Sequence, residues 1–470
     1  MSILDVDYTG LYLCIEEAHK KALETASPVL AAFSCVVATV DPLSLLERAQ
    51  GYHDSYAFWK ARDPAVCMFG WGTEVEINVQ GETRFSEVQA LWRSLLEHSV
   101  CRGPLGPRLV GGFRFDVDGD KDPCWRDFPD ACMSLYKTLV VHAPDRDWLL
   151  CHCYVDPDAD VALLVASYKK HIELLCGREK KLAHGSSNFA LYEPANAGQW
   201  KSKARLAVEK IQCQAFTKVV LARSVQQVHD EPINPGALVR ALSSNSQAHL
   251  FAFSRGDSCF VGATPERLAC VLDGNLHTHA LAGTTRRDED AAIDRRLGEM
   301  LFESNKERHE HALVVEAIRE ALTPLVSELE ISQEPTLHCL PKVQHLNTAI
   351  RAQVKGEVSL LNIVAAMHPT PAVAGHSRQA ALDYIRKHEE LDRGWYAAPL
   401  GWLDADGNGD FIVGLRSALI SGVNCRLFAG CGIVSDSDPE QEYQETCLKL
   451  SGLQQALIDS ARPIASLMLA

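Results

Sequence analysis

A chain of 470 residues exceeds the roughly 100–200 residues of a typical domain and can bury a large core without disulfides. Its 46 basic and 61 acidic residues give a net charge of −15, which leaves no basic stripe for nucleic-acid phosphates. With 47% hydrophobic and 23% charged residues it has the composition of a folded protein, and no stretch approaches the ~18 apolar residues of a membrane-spanning helix.

In chain order, VDYTGLYLCIEEAHKKALETA has helical apolar spacing. Asp5, Asp7, Glu16 and Glu17 stand where a targeting peptide would be basic, so a cytoplasmic protein is expected. Strand-like runs follow at VLAAFSCVVATV (29 to 40), TLVVHA (138 to 143) and WLLCHCYV (148 to 155). YEPANAGQ (192 to 199), ahead of the amphipathic QWKSKARLAVEKIQCQA, marks the expected boundary between halves 1–195 and 196–470 of one intertwined body. Beyond it come the strands KVVLARSVQQV (218 to 228), HLFAFSR (249 to 255), CFVGAT (259 to 264) and RLACVLDG (267 to 274). Helical spacing returns in SNKERHEHALVVEAIREALTPLV and RQAALDYIRKHEE. The strands FIVGLRSALI (411 to 420) and CRLFAGCGIV (425 to 434) precede a last helix, PEQEYQETCLKLSGLQQALIDSA. Turns such as LDGNL and SGVNC join consecutive strands, which is antiparallel hairpin grammar. The order is not a regular βαβα series, so the fold class expected is α+β, with large antiparallel sheets flanked by helices.

Several patterns point away from other functions. The sixteen cysteines include no CxxC pair, and Cys151 and Cys153 would share one strand face without further zinc ligands, so they read as core thiols of a reducing compartment. DADGNGDF places Asp404, Asp406, Asn408 and Gly409 as in a calcium loop, yet its twelfth position is Leu415, so a hairpin turn is expected. DVDGDKDPCWRD has Lys121 where that loop needs glycine and is expected to be a solvated acidic loop. No phosphate-cradling glycine motif occurs.

Acidic residues on apolar helix faces are more informative. Glu307 and Glu310 continue the stripe of Leu313, Val314, Ala317 and Leu322, and Glu442 and Glu445 lead into Leu448, Lys449 and Gly452. Carboxylates directed inward must pair or bind a cation. Two such pairs could converge on one hard cation, for which Mg²⁺ is suited, or each could salt-bridge a neighbouring Arg or Lys.

KVVLARS (218 to 224), GATPERL (262 to 268), ALAGTTRR (280 to 287), SNKERHEH (304 to 311), HPTPAVAG (368 to 375), GWYAAPLGWLDADGNGDFIVGLRSA (394 to 418) and AGCGIVSDSDPEQEYQET (429 to 446) together resemble the ordered signatures of the chorismate-utilising enzymes. GGFRFDVDGDKDPCWRDFPDA (111 to 131) is similar to a segment of that family's isochorismate synthases. The resemblance implies the sandwich-like fold shared with anthranilate synthase component I, a catalytic, chorismate-binding C-terminal half, and Mg²⁺ as cofactor. It makes Lys218 the base that activates water, a role that desolvation of its ammonium would serve, and Glu266 the acid on the departing C4 hydroxyl. Glu310 and Glu445 match metal ligands, with Glu307 and Glu442 beside them or bridged by water. Gly283, Thr284, His345, Tyr396, Arg416, Gly430, Gly432 and Lys449 match substrate contacts. From the residues alone, Arg416 could equally be a structural ion pair and His345 a satisfied core histidine.

Within the family, the residue before Gly-Thr is a nucleophilic lysine in aminodeoxychorismate synthases, whereas Ala282 stands here and leaves water as the nucleophile. The family's ammonia users carry glutamine where this chain has Lys218, and HPTPAVAG differs from the segment that resembles FPAGTLSG in them and FPAVTASG in salicylate synthases. The resemblance therefore implies an isochorismate synthase serving quinone (menaquinone or phylloquinone), siderophore or salicylate synthesis. It would act as a monomer, with no glutaminase subunit, nucleic acid or membrane as partner. Salicylate synthase, which also eliminates pyruvate, is the alternative, and a non-catalytic chorismate-binding protein is a second. Thr285 and Cys431 depart from the common pattern, and Cys431 could expose an oxidisable thiol near the site.

Overall fold

In the computed structural model, residues 5–49, 55–63, 65–177, 189–192, 197–243, 248–340 and 343–461 are described. Their strands form one continuous hydrogen-bonded network with two lobes, antiparallel throughout except for the parallel pair Val29–Val37 and Ser99–Arg102. The first lobe runs Ser99–Arg102, Val29–Val37, Asp147–Val155, Ala131–His142, Ala65–Val79, Tyr56–Arg62, His249–Arg255, Ser258–Thr264, Ser417–Ser421, Asn424–Ile433 and Lys218–His229. The second runs Arg108–Phe113, Pro399–Asp404, Gly409–Val413, Arg267–Leu272, Asn275–Arg286 and Val343–Val354. Strand Ala131–His142 belongs to both, because Ala131–Ser134 pairs with Arg108–Phe113 while Thr138–His142 pairs with Asp147–Val155.

The strands that change lobe decide where the site lies. After Ser258–Thr264 the chain passes through Pro265 and Glu266 into Arg267–Leu272 of the other lobe. After Gly409–Val413 it returns through Gly414, Leu415 and Arg416 into Ser417–Ser421. The two crossings are bonded to each other, with Val413 N donating to Glu266 O at 3.0 Å and Ala263 N to Arg416 O at 3.1 Å. FIVGLRSALI is therefore two strands and not the single one expected from its apolar run, with Arg416 in the left-handed region (φ 48°) at the break.

Helices cover the outer faces. Tyr8–Thr25 starts at Asp7, whose carboxylate accepts from Gly10 N at 2.8 Å, and packs with Pro42–Ala49, Val161–Cys176 and Pro235–Leu242 in one core layer. A larger layer contains Trp59, Trp125, Trp200, Trp395 and the buried faces of Arg84–Glu97, Asn305–Leu322, Leu360–Met367 and Arg378–His388. The α+β class with antiparallel sheets is as expected from the hairpin pattern. The boundary expected at 195/196 lies outside the described residues. Strands from before and after it pair directly: Lys60 faces Leu250, and Val110 faces Trp402.

The 116–127 run is solvated at Asp118, Gly119, Asp120 and Lys121, as expected, and is tied down at its flanks. Asp116 pairs with Arg386 at 2.6 Å, and Asp122 pairs with Arg426 at 2.6 Å while capping the turn Pro123–Trp125. Asp404 accepts from Asp406 N and Asn408 N at 3.0 and 2.9 Å and so builds the hairpin turn expected there. All sixteen cysteines are free thiols.

Candidate active site

The two crossings open onto a cleft of about 800 Å³, part of it open to solvent, between the ends of the lobes. Lys218, Glu266, Gly283, Thr284, Glu310, His345, Tyr396, Arg416, Gly430, Gly432, Glu445 and Lys449 all line it. Glu307 and Glu442, the remaining residues singled out from sequence, are not in that wall; Glu307 reaches it through a hydrogen bond from Thr284 N, and Glu442 bonds Ser437 and Lys306 outside it.

Lys218 begins the strand Lys218–His229 and is almost wholly buried, at 2% exposure. Its Nζ does not end among apolar neighbours, as the strand sequence leads one to expect, but donates to Glu310 Oε2 at 3.0 Å. The path of this side chain is made by Gly432 on the neighbouring strand, where Gly432 faces Val220. A Cβ at position 432 would lie 2.7 Å from Lys218 Cε and 3.2 Å from its Nζ.

Glu266, in the first crossing, is buried, and burial pushes its carboxyl up to about 7 despite the nearby cations of Lys449, Lys218 and Arg416. It thus holds a proton in the neutral range. The Arg416 guanidinium, in the second crossing, has no hydrogen-bond or ion-pair partner among the described residues. A half-buried cation held in this way is a receptor for an anion. Tyr396 stacks on Phe428 with ring centres 5.1 Å apart, and Lys449 spans Glu445 Oε1 at 2.6 Å and Gly430 O at 2.9 Å.

His345 lies opposite a bulge in the strand Asn275–Arg286, where Gly283 takes φ +78°. Its Nδ1 is 3.3 Å from Gly283 O and 3.0 Å from Thr284 Oγ1, while Nε2 has no hydrogen-bond partner among the described residues. Burial, with Arg416 and Lys449 nearby, holds the imidazole well below its usual range, so the ring is neutral. The bulge turns Thr284 N toward Glu307, whose Oε2 accepts it at 3.0 Å.

The four helix carboxylates take individual partners. Glu310 meets Lys218. Glu445 meets Lys449. Glu442 accepts from Ser437 Oγ at 2.7 Å and pairs with Lys306 at 3.1 Å, and Glu307 holds Thr284 N. Among the described residues no three His, Cys, Asp or Glu side chains form a ready cation cage. Their mutual repulsion is nonetheless evident: burial and then Glu310 push the Glu307 carboxyl up to about 7, and burial and then Glu445 raise that of Glu442. Lysines relieve part of this charge, at Glu310, Glu445 and Glu442, and the four hard oxygen donors so gathered have the donor chemistry of a Mg²⁺ site. Glu310 and Glu445 line the cleft, and Glu307 and Glu442 lie outside its wall.

Arg393, which also lines the cleft, was not singled out from sequence. It immediately precedes the motif GWYAAPLG, so its signal was one residue outside the stretch compared. The Cys431 thiol is not exposed beside the site, as its position had led us to expect. It is 1% exposed, and burial together with Glu445 raises it well above the usual thiol range. Thr285 is half-buried in the strand opposite Gln344.

A family model described as a chorismate binding enzyme matches residues 17–458. The salicylate biosynthesis isochorismate synthase of Pseudomonas aeruginosa is 43% identical over 445 residues, 94% of this chain and 93% of that protein. An isochorismate synthase of Bacillus subtilis, MenF, is 32% identical over 452 residues, 94% of this chain and 96% of that one. Among solved structures, the menaquinone-specific isochorismate synthase of Escherichia coli superposes with a TM-score of 0.78 at 27% identity, covering 94% of this chain and 100% of the other.

Proposed function

The chain belongs to the chorismate binding enzymes, and from that premise we propose how, as an isochorismate synthase, it divides the chemistry of the reaction among its residues. The observation that carries the reading is the placement of a buried lysine and a buried carboxyl, pushed up to about 7 by burial, on the walls of one cleft, with only the methyl of Ala282 where a nucleophilic side chain would stand.

Lys218 takes a proton from a water as its oxygen adds to ring carbon C2, and Glu266 gives a proton to the hydroxyl departing from C4. The ring double bonds shift between these two positions. One water enters and one leaves, so the product is an isomer of the substrate. Arg416, without a partner among the described residues, receives one of the two substrate carboxylates, with Tyr396 beside it. The Thr284 backbone and Lys449 border the place of the other. His345, neutral, has Nε2 free as an acceptor. Glu310 and Glu445, backed by Glu307 and Glu442, would hold Mg²⁺, which when bound neutralises substrate carboxylate charge. Because water is the nucleophile, the chain needs no ammonia-supplying subunit, and it acts as a monomer in the cytoplasm.

Incubating the purified protein with chorismate and Mg²⁺ and separating the products by chromatography tests the reading. Isochorismate is expected as the main product, and salicylate with pyruvate in its place would overturn it. Lys218→Ala is expected to abolish turnover, and a variant with the wild-type rate would remove the base.

A further inference from the structure

The strand that carries Lys218 is bonded along one edge by Asn424–Ile433, from Val219 to Val228. Along its other edge, the ladder partners among the described residues lie near the two ends: Gly375–His376 opposite Lys218 and Val219, and Phe189–Tyr192 opposite Gln226–His229. Between these, at Val220 and Ala222, a buried carbonyl and amide need partners from elsewhere.

Two side chains fill the gap. Arg393 Nη2 donates to Val220 O at 2.9 Å, and Ala222 N donates to Glu389 Oε2 at 2.7 Å. Arg393 and Glu389 are joined to each other by two hydrogen bonds of 2.6 Å each, Nε to Oε1 and Nη2 to Oε2. Together they present a donor and an acceptor in register with the backbone, as one residue of a neighbouring strand would. The same residue reaches further: its guanidinium Nη1 donates to Val373 O at 2.7 Å, and its backbone carbonyl accepts from Tyr396 N at 2.8 Å. The base-bearing strand, the HPTPAVAG loop and the loop that carries Tyr396 therefore meet at one ion pair.

Both residues are buried, Arg393 at 3% and Glu389 at 5% exposure. A buried pair of this kind adds little net stability over apolar side chains of the same size, because desolvation offsets the attraction. Although Arg393 borders the cleft, three of its nitrogens already donate within the protein and the face of Phe115 lies 4.3 Å from its carbon. It has little capacity left for substrate.

We propose that the Glu389–Arg393 pair, by bonding Val220 O and Ala222 N as a strand residue would, positions Lys218 for proton abstraction; this rests on the reading of Lys218 as the base. A shift of about 1 Å in a reacting group lowers rate by about 100-fold, and Val220 is two residues from Lys218. The test is steady-state kinetics on Glu389→Gln and Arg393→Lys, with thermal melts of each. Turnover is expected to fall about 10- to 100-fold while KM for chorismate stays within about twofold and the melt remains cooperative. The double variant is expected to be no slower than the slower single one, because the pair acts as a unit.

An unchanged kcat in both folded variants overturns the proposal. So does a raised KM at unchanged kcat, the result of direct substrate contact, or a rate loss that merely follows the unfolded fraction. If Arg393→Lys fails to fold, Glu389→Gln, which keeps an acceptor for Ala222 N, is decisive. Lys218→Ala is measured alongside. An active Lys218→Ala enzyme sinks the assignment of the base, whereas an inactive one beside a fully active Glu389→Gln enzyme sinks only the positioning role.

Discussion

The Glu266 carboxyl, pushed up to about 7 from 4.5 chiefly by burial, binds its proton more tightly in the folded chain than in the unfolded one. Its contribution to stability is therefore fully present below about pH 4.5 and is lost as pH rises through about 7. The interval corresponds to about 3 kcal/mol at most. Glu266→Gln, which cannot ionise, should melt close to the wild type at pH 4.5 and be more stable by about 1–3 kcal/mol at pH 8. Its turnover should drop by about 100-fold or more. In the wild type, kcat/KM should decline as pH rises past about 7 and the acid is lost. Thermal melts at the two pH values and a pH–rate profile check these outcomes. Such residues were legible in sequence because their chemistry needs a specific side chain inside a short motif. Arg393 was not, because its work is to satisfy backbone groups that only the folded chain brings near.

Among elements, the close crossing of two strands offers a sharper test. Gly432→Ala would bring a Cβ to 2.7 Å from Lys218 Cε, the flexible part of a side chain that can move aside. Stability should change by less than about 1 kcal/mol while kcat falls by about 100-fold, measured by denaturant titration and by turnover. Gly432 acts by having no side chain, which a sequence shows only through a matched motif. The strands that were legible, such as Lys218–His229 and His249–Arg255, contain short uninterrupted apolar runs, VVLA and LFAF. Those that were missed carry polar residues into the sheet. Asn275–Arg286 contains His277, His279 and Thr278, and Val343–Val354 contains Gln344, His345 and Thr348, several of them facing the cleft or hydrogen-bonded beneath it. Tyr56–Arg62 and Ala65–Val79 form a hairpin whose aromatic and glycine content hides the alternation. The helices Arg84–Glu97 and Val161–Cys176 escaped notice between runs that had no matched motif.

For the whole molecule, the N-terminal half is a structural part of the catalytic half. The segment GGFRFDVDGDKDPCWRDFPDA braces the loop before Tyr396: Arg114 pairs with Asp392, Trp125 Nε1 donates to Asp392 O at 3.1 Å, and Trp395 Nε1 donates to Pro129 O at 2.9 Å. Strands His249–Arg255 and Pro399–Asp404 would each lose a ladder partner without it. A protein comprising only residues 197–470, though it holds every catalytic candidate, should therefore show no cooperative thermal transition and should aggregate through its open edges. Calorimetry and light scattering check this, and a cooperative, soluble product would refute it. The motifs revealed the site in one half of the chain. They did not reveal this dependence, because the strand partners lie far apart in sequence and share no common pattern.

The pairing of Tyr56–Arg62 with His249–Arg255 sets a timetable for synthesis on the ribosome. The earlier strand must wait for about 190 more residues to be translated, roughly 10–40 s at ordinary elongation speed. During that interval its aromatic residues Tyr56, Phe58 and Trp59, all buried in the finished protein, have no final partner on that edge. Nascent chains of this enzyme must therefore be shielded while they emerge. Slower elongation would lengthen the exposure in direct proportion.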